Sequence, residues 1–297
     1  MLQAKVSIVL LNWNGWRDTV ACLESLRQLR YPNFDVIVVD NGSTDDSVAR
    51  IRETFPDVDL IEAGKNLGFA AGCNLGAVHA LSRGSEYVWL LNNDTVADPG
   101  ALAALIEKAE ANPQIGVVGS VLYCADEPER VQCWGGGYVS FRLGRSRPFV
   151  GPVPDEKLEF ITGASFLLPR KVIKKFGLLD EGYFMYWEDA DYCFGLRRAG
   201  LKLAVAERSK VWHKESASVG KVSARLDNYF NASAARFFAR HASLPGVTLW
   251  TGVTLRLAKR ILAGDWGRAL AVWNGVRGRR LEPTLLGVAG NLNRAGD

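Results

Sequence analysis

Apolar and polar positions alternate in blocks along the first third of the chain. Val6–Leu11 is a short β-rich apolar run, Trp16–Leu29 sets Val20, Cys22, Leu23 and Leu26 on one helical face, and Val36–Val39 is a second apolar run. Strand, helix, strand is the pattern of a βαβ unit. It repeats through a helix at Asp45–Thr54, a strand at Val58–Ala63, a helix at Gly72–Leu81, a strand at Val88–Leu91 and an Ala/Leu-rich helix from near Pro99. Strands without strict apolar–polar alternation are buried on both faces. The pattern predicts an α/β fold with a mostly parallel central sheet flanked by helices, an architecture of the nucleotide-binding type.

Beyond Pro113 the rhythm changes. Val117–Cys124 reads as a strand, and residues 125–160, rich in Gly, Pro, Arg and Glu, read as an extended loop with room for an edge hairpin. Phe160–Leu168 is a strand-like run, Lys171–Phe176 a short helix, Asp189–Ala199 a helix ended by Gly200, and Leu203–Val205 a strand. From about residue 222 the spacing is helical, broken at Pro245-Gly246. The expected organisation is a domain over 1–221, with halves 1–115 and 116–221, followed by a helical extension over 222–297.

At 297 residues, 48% hydrophobic and 23% charged, the chain suffices for one large core plus an appendage. No apolar run reaches the roughly 18 residues of a transmembrane helix, and no secretory signal pattern opens the sequence. Five cysteines without Cys-x-x-Cys spacing (Cys22, Cys73, Cys124, Cys133, Cys193) are expected as reduced, buried thiols of a cytoplasmic protein. Charge divides unevenly: residues 221–297 hold 12 Lys/Arg against 4 Asp/Glu, whereas residues 1–220 hold 24 against 28. With Trp250, Trp266 and Trp273, the basic extension either lies on an anionic membrane surface or packs its tryptophans on the body. The slightly acidic body, with dispersed basic residues, argues against nucleic acid as a partner.

Candidate chemistry sits where apolar runs stop. Leu90-Leu91 gives way to Asn92-Asn93-Asp94, a carboxylate just beyond a strand's carboxyl end, where ligands bind in such sheets and a divalent cation can be held. A polar turn before the next helix is the bland alternative. Asp40 ends a second buried strand before Asn41-Gly42-Ser43-Thr44-Asp45, whose Gly and Ser/Thr/Asp residues are also ordinary turn and capping chemistry. Residues 65–76 bring Asn66, Asn74, Gly68, Gly72 and Gly76 together, and glycines admit close approach of a ligand or of a packed helix. Glu188, Asp189 and Asp191 follow the aromatic run Tyr186-Trp187; they either cap a helix or, in an aromatic pocket, include a carboxylate of raised basicity suited to a general base. His213 ends a strand-like segment and is either a structural histidine or a neutral nitrogen ligand.

Six segments in order, 6–14 (VSIVLLNWN), 39–45 (VDNGSTD), 66–76 (NLGFAAGCNLG), 91–94 (LNND), 162–164 (TGA) and 187–191 (WEDAD), resemble the inverting family 2 glycosyltransferases of GT-A fold, especially their rhamnosyltransferase-like branch. The resemblance spans about residues 5–215 and implies a Rossmann-like GT-A domain with a C-terminal helical extension. It implies that Asp40 holds the nucleotide base, with Asn12, Asn14, Gly42, Asn66, Gly68, Asn74, Asn92 and Asn93 around the donor. Asp94 matches the last carboxylate of the Asp-x-Asp motif, with Asn92 and Asn93 in the first two positions, and His213 matches a C-terminal metal ligand for Mg²⁺ or Mn²⁺. Asp189 matches the general base, with Glu188 and Asp191 shaping its field or touching the acceptor. Trp134, Thr162, Gly163, Ala164 and Trp187 fall on the acceptor side. The implied donor is dTDP-rhamnose, with a uridine diphosphate sugar as the alternative, and the implied acceptor a surface polysaccharide or lipid-linked saccharide. Two competing classes are a nucleotidyltransferase, whose Gly-rich phosphate loop is missing after the first strand, and a non-catalytic sugar-nucleotide binder or assembly protein.

Overall fold

The computed structural model describes residues 3–214 and 223–278. In its first half the expected alternation forms as β1 (Val6–Asn12), α1 (Trp16–Leu26), β2 (Phe34–Asp40), α2 (Ser47–Thr54), β3 (Asp59–Glu62), α3 (Phe69–Ser82) and β4 (Tyr87–Asn92). β1 lies between β2 and β4, with β3 outside β2, and all four run parallel. Successive side chains of β1 serve opposite layers. Ile8 and Leu10 meet Cys22, Leu23 and Leu26 of α1, while Val9 meets Ala70, Cys73 and Ala77 of α3.

The second half departs from expectation in specific places. Thr95–Ala97 forms a short strand, β5, before α4 (Ala101–Glu110) and β6 (Ile115–Cys124). Instead of a long loop, residues 125–160 contain β7 (Val131–Trp134), β8 (Gly136–Ser140), β9 (Arg145–Pro148) and a 3₁₀ turn at Asp155–Lys157. Phe160–Leu168 is two strands, β10 (Phe160–Ile161) and β11 (Ser165–Pro169), separated by the corner Thr162-Gly163-Ala164. After α5 (Arg170–Phe176) and α6 (Glu188–Arg198), β12 (Lys202–His213) continues far past Val205, with an irregularity between Ala206 and Lys210 that admits the polar residues Glu207–Ser209. Among the described residues the main sheet runs β3-β2-β1-β4-β11-β6-β12-β5, with β7 beside β6; β11 is antiparallel to both neighbours. β10, β8 and β9 form a second, small sheet.

Three helices follow, α7 (Ala224–His241), α8 (Pro245–Leu262) and α9 (Trp266–Val276). α7 is part of the body: Ala234, Phe237 and Phe238 are fully buried in the core that contains Trp187 and Cys193 of the α6 region. α8 and α9 pack on α7. All five cysteines are buried thiols.

Candidate active site

A cavity of about 380 Å³ opens beyond the carboxyl ends of β1 and β4. Three segments of the first half wall it: Leu11 and Trp13 after β1, Asn41 after β2, and Asn66, Gly68 and Phe69 at the start of α3. Asn92, Asn93 and Asp94 form its floor at the end of β4, and the Thr162–Ala164 corner, Met185, Tyr186, Glu188, Asp189, His213 and Leu226 close it. Segments from both halves and from α7 thus share one space.

The corner between β10 and β11 joins the two chemical ends. Ala164 C=O accepts the Asn92 N–H at 3.0 Å, and the Gly163 N–H donates to Asp189 Oδ2 at 2.9 Å. Asp189 Oδ1 also accepts the Ala190 N–H at 2.7 Å, at the N-terminus of α6, where helix dipole and N–H groups favour an anion. Burial nevertheless raises the Asp189 pKa. Glu188 is raised well above the ordinary carboxylate range, first by burial and then by the charge of Asp189; its Oε2 has no hydrogen-bond partner among the described residues. Of the two buried carboxylates Glu188 is the more strongly raised, whereas Asp189 accepts two N–H donors that favour its charged form. Tyr186 and Trp187, just before them, both have positive φ, 68° and 71°, an uncommon backbone for large side chains that concentrates at functional segments.

At the other end His213 Nε2 lies 3.3 Å from Asp94 Oδ1, with both side chains largely buried. Gln132 Oε1 sits 2.8 Å from His213 Nδ1, so the N–H is assigned to Nδ1 and the Nε2 lone pair turns toward Asp94 and the Asn92 amide, 3.2 Å away. One imidazole nitrogen and one carboxylate oxygen fit Mg²⁺ or Mn²⁺ whose other positions are filled by diphosphate and water. Among the described residues no larger cluster of metal-ligating side chains exists.

Several residues expected in the site stand behind it or elsewhere. Asp40 is buried, its carboxylate taken by Asn12 Nδ2 at 2.8 Å and by the Ser43 N–H and hydroxyl at 2.9 and 2.6 Å. Asn14 Oδ1 accepts the Thr44 N–H at 2.7 Å, and Gly42, at φ +73°, allows its turn to cross Lys65, whose Cα would lie 2.4 Å from a Cβ. These four residues brace the loops that present Trp13 and Asn41. Asn93 does reach the wall but donates to Thr19 at 2.8 Å. Asn74 points away, bonding Leu179 C=O at 2.8 Å and Glu181 at 3.0 Å, because its side of α3 packs on the segment after α5. Trp134 is enclosed in the core. Trp187 packs among Phe230, Phe237 and Phe238 of α7, with ring centres 5.4, 4.7 and 5.1 Å away in tilted and edge-on arrangements. Asp191 turns away from the cavity, one face of α6 round from Asp189, and clamps α7 through His241 at 2.6 Å and Arg240 at 3.0 Å.

Sequence reasoning missed Leu11, Trp13, Asn41, Phe69, Met185, Leu226 and the supporting Gln132, and named Tyr186 only as part of an aromatic run. Trp13 and Asn41 lay inside segments already singled out; Leu226 and Gln132 carried no local signal.

The architecture is that of the GT-A glycosyltransferases. Mannosyltransferase PcManGT from Pyrobaculum calidifontis, solved in complex with GDP-Man and Mn²⁺, superposes with a TM-score of 0.61 at 17% identity, covering 93% of this chain and 80% of that one. N-acetylglucosaminyl-diphospho-decaprenol L-rhamnosyltransferase of Mycobacterium tuberculosis is 28% identical over 218 residues, 63% of this chain and 68% of the relative. O-antigen biosynthesis protein RfbC of Myxococcus xanthus is 29% identical over 209 residues, 65% of this chain and 16% of the relative. Residues 7–177, more than half of the sequence, match Glycosyl transferase family 2, and the chain belongs to that family.

Proposed function

We propose that this family 2 glycosyltransferase moves a sugar from a nucleoside diphosphate to an acceptor hydroxyl in a single inverting displacement, with dTDP-rhamnose as donor and a glycan or lipid-linked saccharide of surface polysaccharide synthesis as acceptor. One observation carries this reading: the Asp94–His213 pair and the Asp189 carboxylate open onto one cavity, and the Gly163–Ala164 backbone bonds Asp189 on one side and Asn92, two residues before Asp94, on the other. The names of the L-rhamnosyltransferase and O-antigen relatives support the sugar and the class of product.

The nucleotide base lies against Trp13, Asn41 and Asn66, with Asp40 and Asn12 bracing that wall. Asp94 and His213 would hold Mg²⁺ or Mn²⁺, which supplies neutralisation of the charge developing on the diphosphate as it departs. Asp189 takes the proton of the acceptor hydroxyl, and Glu188, holding its own proton, adds no second charge beside it. Attack opposite the leaving group needs no covalent enzyme intermediate. Gly163 and Ala164 leave room for the acceptor beside Asp189. We assign the protein to the cytoplasm, where buried thiols stay reduced.

A panel of sugar nucleotides with an oligosaccharide acceptor, each with Mg²⁺, Mn²⁺ or a chelator, tests this reading by nucleoside diphosphate release and by NMR of the product. Release that needs the cation, is fastest with dTDP-rhamnose and gives inverted anomeric configuration is expected. Retained configuration overturns the displacement, and tight binding without release identifies a non-catalytic binder.

A further inference from the structure

We infer that the outward face of α8 and α9 is a docking surface for an anionic lipid bilayer, on which the protein lies without crossing it. On α9, Trp266, Leu270 and Trp273, with Arg277 at its end, follow at i, i+4, i+7 and i+11, a single stripe of the helix. Trp266 is 66% and Leu270 59% exposed. On α8, Trp250, Leu255 and Leu262 are exposed, Leu262 to 88%, while Thr248, Gly252 and Val253 turn inward. The rings of Trp250 and Trp273 are 5.9 Å apart, so the two stripes merge into one surface. Single exposed apolar side chains are ordinary; a continuous set on two neighbouring helices marks an interface.

Charge selects the partner. Residues 243–278 contain five Lys/Arg and one carboxylate, Asp265, which caps α9. Arg260 and Arg268 face inward and hold Asp227 of α7 at 2.9 and 2.5 Å, and Arg256 reaches Gly144 C=O at 2.8 Å. Lys259 and Arg277 remain on the exposed side, the Arg277 guanidinium 5.1 Å from the Trp273 ring centre. Tryptophan, aliphatic residues and cations without a facing carboxylate are the composition of helices that rest at an anionic membrane interface. A second copy docked about a two-fold axis would meet these cations with its own, and among described residues 243–278 only Asp265, at the α9 cap, is acidic. No described helix is long and apolar enough to cross a membrane. The inference holds whatever sugar the cavity takes.

Sedimentation of the full chain with vesicles of phosphatidylcholine alone, and of phosphatidylcholine mixed equally with phosphatidylglycerol, tests it. Binding to the mixed vesicles, weakened by salt and accompanied by a blue shift of tryptophan emission, is expected. The double variant Trp266→Ser, Leu270→Ser should lose at least about 10-fold in partition coefficient, from the apolar area no longer buried, with its melting temperature and its nucleoside diphosphate binding unchanged. Protein left in the supernatant with both lipids overturns the proposal, as does a variant that sediments like the parent. Equal binding to both vesicle types overturns the anionic assignment, and a dimer in light scattering that the double variant dissolves assigns the face to a second copy.

Discussion

Asp189→Asn removes the proposed proton acceptor while keeping the shape of the site. Asp189 now accepts the Gly163 N–H at 2.9 Å and the Ala190 N–H at 2.7 Å. An Asn oxygen keeps one of these bonds and its NH₂ faces the other donor, a loss of about 1.5–3 kcal/mol for a hydrogen bond to a charged group. Against that loss stands removal of a carboxylate whose ionised form burial disfavours and whose charge raises Glu188. The two effects oppose, so unfolding free energy should change by less than about 2 kcal/mol. Catalysis does not share this compensation: a positioned base contributes roughly 10²–10⁴-fold, or about 2.7–5.4 kcal/mol of barrier. Urea unfolding, calorimetry with donor, and kcat from nucleoside diphosphate release at saturating donor measure the three quantities. Near-native stability and donor affinity with kcat down at least about 100-fold are expected. Turnover within about tenfold of the parent, or donor affinity falling as far as kcat, refutes the assignment. The parent's rate should also rise with pH along an acid limb above the ordinary Asp value of about 3.9, because burial raises the group, and the Asn variant should lack that limb.

Three further substitutions probe other parts of the site. Gln132→Leu removes the acceptor 2.8 Å from His213 Nδ1 and should weaken Mn²⁺-supported nucleoside diphosphate binding about 10–100-fold in calorimetry; unchanged binding contradicts the ligand role of His213. Gly68→Ala sets a Cβ 2.4 Å from Phe184 C=O at φ +86°, and should cost about 2–5 kcal/mol in urea unfolding, from left-handed backbone and overpacking together. Glu188→Gln should flatten the pH dependence of stability: with its folded pKa raised, the parent is most stable below the unfolded Glu value and loses that stability as pH rises toward the folded one. Melting temperatures from pH 4 to pH 8 that stay parallel for parent and variant contradict this assignment of the proton.

The first half was legible because its signals are local. Ile8, Leu10 and Val9 announce a strand buried on both faces, and Cys22, Leu23 and Leu26 a helix packed on it. The second half was less so, since its strands of four or five residues in 131–148 carry mixed Arg, Ser and Gly and take their identity from pairing across the chain. The Glu207-Arg208-Ser209-Lys210 interruption concealed the length of β12, which delivers His213. Within the Glu188–Asp191 cluster, proximity in sequence suggested a shared task; helical geometry turns Asp191 toward His241 and α7. Trp187 likewise read as a ligand surface because nothing local reveals that Phe237 and Phe238 cover it. Burial of those two phenylalanines also made α7 part of the body and brought Leu226 to the cavity wall.

Cation, diphosphate and base must meet in one space for the proposed reaction to proceed. Anomalous scattering from crystals grown with Mn²⁺ and dTDP tests this most directly. A manganese peak between Asp94 and His213, with the nucleotide base against Trp13 and Asn41 and the diphosphate pointing toward Asp189, is the predicted result. Manganese or nucleotide bound outside this cavity would contradict it.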